Sequence, residues 1–317
     1  MKEKVFQAET VLLAGNGNLT WSIAACLLNA GHVVNLWTNG LENSSKEVLA
    51  HLHGTGYENA SDFIENHRLS TSENLDGFES CGMVIAITQE DPALKLEIIS
   101  QLEDRISPDV LIGINTESIG LDVLQENAKK PGRIIGLNWA EPAHTTRFLE
   151  IIGNQAVNEN ITSEICSLAQ MHWKKDPYVV ENFGIRSRLI SAMVREAFYL
   201  VGNGYASVED IDRACRNDAG YYLPFTGNCR YMDLMGTYAY GMVMKDLNPN
   251  LSKEKQVPDF FTDILKDGGK GMQNGKGLYL YTDEEVKRWH YIINKFSYQI
   301  EKVINKYPFN YKKKKSI

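Results

Sequence analysis

The sequence predicts an α/β protein, a mostly parallel sheet domain followed by a smaller all-α domain, and three observations predict it. Short apolar runs such as GMVIAIT at 82–88 and VLIGIN at 110–115 have the length and continuity of strands buried on both faces. Segments of helical apolar spacing alternate with them. Beyond Asp176-Pro177 the strand-like runs become scarce and long stretches of helical period take over.

The elements follow in order. Val11 to Ala14 is a strand-length run that stops at Gly15, where a residue free to take positive φ lets the chain turn tightly, and Gly17 comes two positions later. Leu19, Ile23, Cys26, Leu27 and Ala30 then fall at helical spacing, Gly31 closes that helix, and Val33 to Trp37 is a second strand. Ser44 to Ala50 and Asp62 to Asn66 read as helical pieces in a polar region. Between the runs at 82–88 and 110–115, Asp91 to Leu102 carries Leu94, Ile98, Ile99 and Leu102 on one stripe. Ile134 to Trp139 and Phe148 to Ile152 complete the sheet, and ligands of such Rossmann-type sheets lie beyond the strand C-termini. Arg188 to Gly202 reads as a long helix and Val208 to Cys215 as another, opened by Ser207 at its N-cap. The expected domains are residues 1–183, the sheet domain, and 184–317, the helical domain.

Composition narrows the function. At 317 residues the chain holds about two domains with sizeable cores. Its 33 Lys and Arg against 40 Asp and Glu, net −7, argue against a nucleic-acid surface. The lysines at 312–315 read as a frayed tail. Five dispersed cysteines without a Cys-x-x-Cys pair suggest neither a disulfide framework nor a zinc site, and no metal site is expected. The opening MKEKVFQAE lacks a signal-peptide core and no apolar run approaches membrane-spanning length, so a cytoplasmic protein is expected.

The glycine turn carries the first functional reading. A helix that begins directly after two glycines points unpaired backbone N–H groups and its positive dipole end over the turn, and the missing side chains let a pyrophosphate approach. Gly15, Asn16, Gly17, Asn18 and Leu19 form that cradle, and a dinucleotide is its natural occupant. Thr20 stands where the fingerprint's third glycine is expected. Thr38, followed by Asn39, stands where an acid normally holds the adenosine ribose. The threonine weakens that hold and removes a charge that repels a 2′-phosphate, yet no arginine sits beside it. The reading is NAD(H), with NADP(H) as the alternative.

Further stretches extend the picture: Glu90 with Lys95 in QEDPALK, Asn115-Thr116 at a strand end, and GLNWAEPAHTTRFLEII at 136–152. GIRSRL at 184, VEDIDRA at 208, AGYYLPFTGNCRYMDLMG at 219 and GKGLYLYT at 275 follow. With these the chain resembles the 3-hydroxyacyl-CoA dehydrogenases over almost its whole length. Its later part looks most like the subgroup containing lambda-crystallin, gulonate and carnitine dehydrogenases.

The resemblance implies hydride transfer between the 3-carbon of a hydroxyacyl thioester and NAD. It also implies a small-molecule substrate, an acyl-CoA among the candidates, cofactor contacts from Glu90, Lys95 and Asn115, and a homodimer built on the helical domain. In the family a histidine held by a glutamate takes the hydroxyl proton, while a serine and an asparagine position the oxygen. Here the glutamate falls on Glu150, the histidine on Asn138, the serine on Glu117 and the asparagine on Ser187, so three of the four positions have changed.

An amide neither accepts nor releases a proton at working pH, so Asn138 is able to hydrogen-bond a substrate but not to act as the base. The remaining candidates are His144 on the adjoining loop, and Glu117 or Glu150, whose carboxylates would raise one pKa if they shared a site. Three readings follow. One is an NAD(P)-dependent oxidoreductase on a hydroxyl or carbonyl substrate with a replaced proton relay. A second is a dinucleotide-binding sensor or partner subunit without turnover. The third is imine reduction on the same fold, with Glu117 holding a cationic substrate. The stretch GGKGMQNGKG at 268–277 lacks the spacing of a phosphate loop and reads as a turn before a short apolar segment.

Overall fold

The computed structural model describes residues 10–54 and 61–307, so the N-terminal MKEKVFQAE and the lysines at 312–315 lie outside the described residues. The chain divides into two compact units between Arg188 and Leu189.

The first unit is built on one eight-stranded sheet. Its elements are β1 (Thr10–Ala14), α1 (Asn18–Asn29), β2 (Val33–Trp37), α2 (Leu41–Gly54), α3 (Asp62–Glu65), β3 (Leu69–Ser72) and β4 (Met83–Ala86). Then come α4 (Pro92–Arg105), β5 (Leu111–Ile114), α5 (Leu121–Gln125), β6 (Ile134–Trp139), β7 (Leu149–Gly153), α6 (Glu159–Met171) and β8 (Tyr178–Glu181). The strand order is β3-β2-β1-β4-β5-β6-β7-β8. All neighbours are parallel except β6 and β7, which run antiparallel, so the expected mostly parallel Rossmann-type sheet is present with its direction reversed at one end.

The central strands are apolar throughout because helices cover both faces. Val11, Leu12 and Leu13 of β1, Met83, Val84 and Ile85 of β4, and Ile23, Leu27 and Leu28 of α1 are buried together. Helix α4 starts where Asp91 caps it, its side chain accepting from Leu94 N at 3.0 Å, with Pro92 at the first helical position.

Register then places the chemistry. Ala14 pairs with Trp37 and Ala86, Ala86 with Ile114, and Ile114 with Gly136. The C-terminal ends of β1, β2, β4, β5 and β6 therefore share one sheet edge, and the segments after them meet there. Strands β7 and β8 begin at that same edge.

The second unit is helical. It takes most of α7 (Arg186–Gly202), then α8 (Val208–Ala214), α9 (Gly220–Met235), α10 (Thr237–Leu247), α11 (Asp259–Lys266) and α12 (Asp283–Lys306). Ser207 and Thr282 open α8 and α12 with reciprocal capping boxes to Asp210 and Glu285. The stretch at 268–277 forms turns with isolated bridges from Lys276 to Gly271 and Leu280. Among the described residues of this unit no apolar side chain is buried, and Tyr221, Tyr238 and Leu280 are each more than 80% exposed.

Candidate active site

The turn after β1 is built for close approach. Gly15 has φ 148°, and a Cβ there would lie 2.7 Å from the Ile87 carbonyl oxygen and 2.9 Å from Thr20 Oγ1. Gly17 has φ 92° and precedes α1, with open space where its side chain would be and no side-chain cap on the helix. The first turn of α1 thus presents bare backbone N–H groups, the arrangement that receives a pyrophosphate. Asn16 Oδ1 accepts from Gly17 N at 2.8 Å and abuts Gly40 after β2. Asn18 donates to the Glu141 carboxylate, and its Oδ1 pairs with His51 Nε2 at 3.0 Å. Leu19 packs against the core. Thr38 is buried, and its hydroxyl oxygen accepts from Gly40 N at 3.2 Å.

Glu90, Lys95 and Asn115 form a strut beneath the segment after β5. Glu90 Oε1 accepts from the backbone N–H groups of Glu117, Ser118 and Ile119 at 2.9, 2.7 and 3.1 Å. Lys95 Nζ, fully buried, meets Glu90 Oε2 at 3.1 Å, Asn115 O at 2.6 Å and Thr88 Oγ1 at 3.3 Å. Its three donors thus all have acceptors inside the protein. Asn115 Oδ1 in turn accepts from Trp139 N at 2.9 Å. Burial pushes the Glu90 carboxyl up, but the backbone N–H groups and the Lys95 charge outweigh it and bring it down to about 2. Burial lowers the Lys95 pKa against the pull of Glu90.

Beside this strut three side chains lie in a row across three strands. Asn138 of β6 is opposite Glu150 of β7, and Glu150 is in register with Tyr178 of β8. Asn138 Nδ2 donates to Glu150 Oε2 at 2.9 Å, and the Tyr178 hydroxyl donates to Oε1 at 2.9 Å. The start of α7 supplies two more donors to Oε1, Ile185 N at 2.9 Å and Arg186 N at 3.3 Å, as suits an anion at a helix N-terminus. Gly184 is required by this approach: a Cβ there would collide with Glu150 Oε2 and lie 2.7 Å from Glu117 O. Asn138 and Glu150 are both completely buried, and among the described residues Asn138 Oδ1 has no hydrogen-bond partner. Burial, then the bond to Glu150, raise the Tyr178 pKa, which keeps the phenol a donor.

Glu117 and Glu150 are held by separate groups rather than against each other. The Glu117 carboxylate pairs with Arg186 Nη1 at 3.0 Å, its carbonyl accepts from Ser187 Oγ at 3.2 Å, and the Arg186 guanidinium lies over the Phe148 ring. His144 belongs to the glycine-turn side: its ring centroid is 4.8 Å from that of His51, which reaches Asn18. Burial, His51 and Lys175 push the His144 pKa down to about 3, far below that of an effective base near neutrality.

The structure therefore brings together Asn138, Glu150, Ser187 and the Glu117 backbone, with Asn115 behind them, and sets His144 with Asn18. Sequence reasoning missed Tyr178, Arg186 and His51. The run Tyr178 to Val180 after Pro177 was the one available sign of a further strand; the other two have no local signature.

An open glycine cradle, a switch in strand order beside it and a polar row at the same sheet edge define a dinucleotide-dependent oxidoreductase. Comparison with known proteins makes this specific. Residues 10–183 match the family model for the 3-hydroxyacyl-CoA dehydrogenase NAD binding domain, and residues 185–281 match that for the C-terminal domain of the same enzymes. The chain belongs to the 3-hydroxyacyl-CoA dehydrogenase family, and it is an NAD-dependent oxidoreductase of that kind.

Two relatives illustrate the family's range. The 5-formyl-3-hydroxy-2-methylpyridine 4-carboxylate 5-dehydrogenase of Mesorhizobium japonicum is 26% identical over 224 residues, 68% of this chain and 71% of that one. A probable 3-hydroxybutyryl-CoA dehydrogenase of Bacillus subtilis is 24% identical over 288 residues, 88% and 99% of the two chains. A crystal structure of a 5-formyl-3-hydroxy-2-methylpyridine 4-carboxylic acid 5-dehydrogenase, an NAD+ dependent dismutase, shares the fold with TM-score 0.84 at 20% identity, covering 94% of this chain and 99% of that one.

Proposed function

We propose that the protein transfers hydride between NAD and the hydroxyl-bearing or carbonyl carbon of a small substrate, an acyl-CoA among the candidates, with Asn138 where its family carries a histidine. The in-register row Asn138, Glu150, Tyr178 at the edge that also holds the glycine cradle carries this reading. Gly15, Asn16, Gly17, Asn18 and Leu19 would hold the dinucleotide, whose nicotinamide supplies or accepts the hydride. Thr38 sits at the adenosine end. Its hydroxyl is engaged by Gly40 and no arginine adjoins it in sequence, which supports NAD over NADP.

Glu150 orients the Asn138 amide, and Asn138 positions the reacting group of the substrate. Ser187, tied to the Glu117 carbonyl, lines the same segment. Asn138 cannot move a proton, and we assign the base to neither His144 nor Glu150: the former belongs to the turn cluster, the latter is saturated by four donors. Glu90, Lys95 and Asn115 support the cofactor side by fixing the loop at 116–119.

The resemblance of GIRSRL and the later motifs supports placement with the lambda-crystallin, gulonate and carnitine dehydrogenase subgroup. The sheet domain 1–183 would bind cofactor, and the helical domain 184–317 would dimerise. In α12, Trp289, Ile293 and Phe296 are each more than half exposed, and a second copy would cover such a face. The five cysteines are unpaired, in keeping with a reducing cytoplasm. Loss of the family histidine supports one further reading, a dinucleotide sensor without turnover. Steady-state assays with NAD and NADH against hydroxy acids, 3-hydroxyacyl-CoAs and their oxo forms decide it: turnover of one pair supports the oxidoreductase, and saturable cofactor binding with no turnover supports the sensor.

A further inference from the structure

Around the Asn138 amide there are three carboxylates and two paired cations. Glu90 has Lys95 and Glu117 has Arg186, whereas among the described residues the hydrogen bonds to Glu150 come from an amide, a phenol and two backbone N–H groups, all neutral; the nearby Arg186 guanidinium, whose charge also acts on Tyr178, is paired with Glu117. Lys175, another buried cation, donates to the carbonyls of Ala143 and Thr146 on the loop after β6. Neutral donors satisfy a buried carboxylate's oxygens without cancelling its charge.

The facing amide adds a second, independent requirement. Asn138 gives its nitrogen to Glu150, so the planar amide turns Oδ1 away from the carboxylate, and this fully buried oxygen has no donor among the described residues. Such an acceptor is costly until a donor reaches it. A carbonyl substrate has no hydrogen to offer, and an alcohol offers one without a charge. A protonated C=N group brings both a hydrogen and a positive charge.

We propose that this site also takes an iminium, C=N–H+, and reduces it to an amine faster than it reduces an uncharged carbonyl of the same size; the proposal rests on the reading that the glycine turn holds NADH beside Asn138. The N–H donates to Asn138 Oδ1, and the charge faces Glu150. The iminium carbon accepts the hydride that reduced nicotinamide supplies, the C=N π pair becomes the nitrogen lone pair, and the nitrogen keeps its hydrogen. No proton has to be delivered. Carbonyl reduction leaves an alkoxide that needs one, and an amide cannot provide it. The Glu117 carboxylate, already paired with Arg186, is not needed to hold the cation.

The test compares 2-methyl-1-pyrroline, protonated near neutral pH, with cyclopentanone of similar size, following NADH consumption by the full-length protein. The expected result is reduction of the pyrroline at least ~10-fold faster, the rate falling as pH rises through the iminium's own pKa. Asn138→Leu is expected to cut that rate by ~10-fold or more while the NADH Kd, read by fluorescence, is unchanged. A readout independent of turnover is calorimetry: pyrrolidine hydrochloride is expected to bind protein saturated with NADH at least ~10-fold more tightly than cyclopentanol, which offers a hydrogen without a charge. If NADH binds but cyclopentanone is reduced as fast, or the pyrroline is not reduced and pyrrolidinium binds no more tightly than cyclopentanol, the iminium proposal is overturned and the oxidoreductase reading stands. If NADH itself fails to bind, both fall.

Discussion

Asn138 and Glu150 face each other across the antiparallel pair β6 and β7, amide nitrogen to carboxylate oxygen at 2.9 Å, and neither is exposed to solvent. The pair has the geometry in which a carboxylate orients a partner. The partner is an amide, which orients a ligand through hydrogen bonds and does not transfer a proton.

Introducing an imidazole at this position tests that separation of roles. Asn138→His is expected to raise alcohol oxidation by ~100-fold or more. The new activity should follow a single ionisation near the ordinary histidine range, absent from the parent. A pH profile of kcat/KM measures both; an unchanged rate would show that proton transfer already runs through another group.

Gly184→Ala probes the packing around Glu150. The added Cβ meets Glu150 Oε2 and the Glu117 carbonyl, and something must shift at the start of α7. Crowding of this kind costs about 1–3 kcal/mol. We expect a lowered denaturation midpoint and at least ~10-fold less activity with NADH binding retained. Parental activity would mean that the Glu150 position does not govern the site.

Acid sensitivity follows from two groups. His144 is held at about 3 against an ordinary 6.5, and Glu90 at about 2 against an ordinary 4.5. In each case the unfolded chain takes up a proton that the folded chain refuses, so stability is complete above the ordinary value and falls as pH drops towards the folded one. His144 acts first, between 6.5 and about 3, and Glu90 follows between 4.5 and about 2. Denaturant midpoints measured down that range should decline in the parent and decline less steeply in His144→Gln; identical slopes would remove His144 from the account.

Phe296→Asp in α12 places a charge on a face that is 56% exposed at that residue. If a second copy covers this face, sedimentation should show a shift from dimer to monomer and a cooperative unfolding transition that weakens with dilution. A monomeric parent would contradict the dimer directly.

What could be read beforehand has a physical pattern. β1, the glycine turn, α1 and β2 were legible because a doubly covered strand writes a continuous apolar run and a tight turn demands glycine. β3 and β8 were not read as strands. Leu69 to Ser72 is polar and only Leu69 is buried, while Tyr178 to Glu181 alternates between half-buried and exposed. The reversal at β7 was invisible, since an apolar run carries no direction. Asn138 and Glu150 were found by resemblance, but their partner Tyr178 and the Arg186–Glu117 pair join residues 28 and 69 positions apart, and no local spacing encodes such contacts. In the sequence His144 is a candidate base or a solvated loop residue. Its burial against His51, 93 positions away by number, was set by how the loop after β6 folds back on α1.

The central claim is that the turn at Gly15 to Gly17 holds NAD beside the Asn138–Glu150 pair. A fluorescence titration with NADH and NADPH, following energy transfer from tryptophans such as Trp21 and Trp37 near the turn, tests it most directly. The account predicts saturation by NADH in the micromolar range, weaker binding of NADPH, and a Kd raised ~10-fold or more in Gly15→Ala, where the added Cβ would meet the Ile87 carbonyl. No saturation by either nucleotide, or an unchanged Kd in Gly15→Ala, would contradict it.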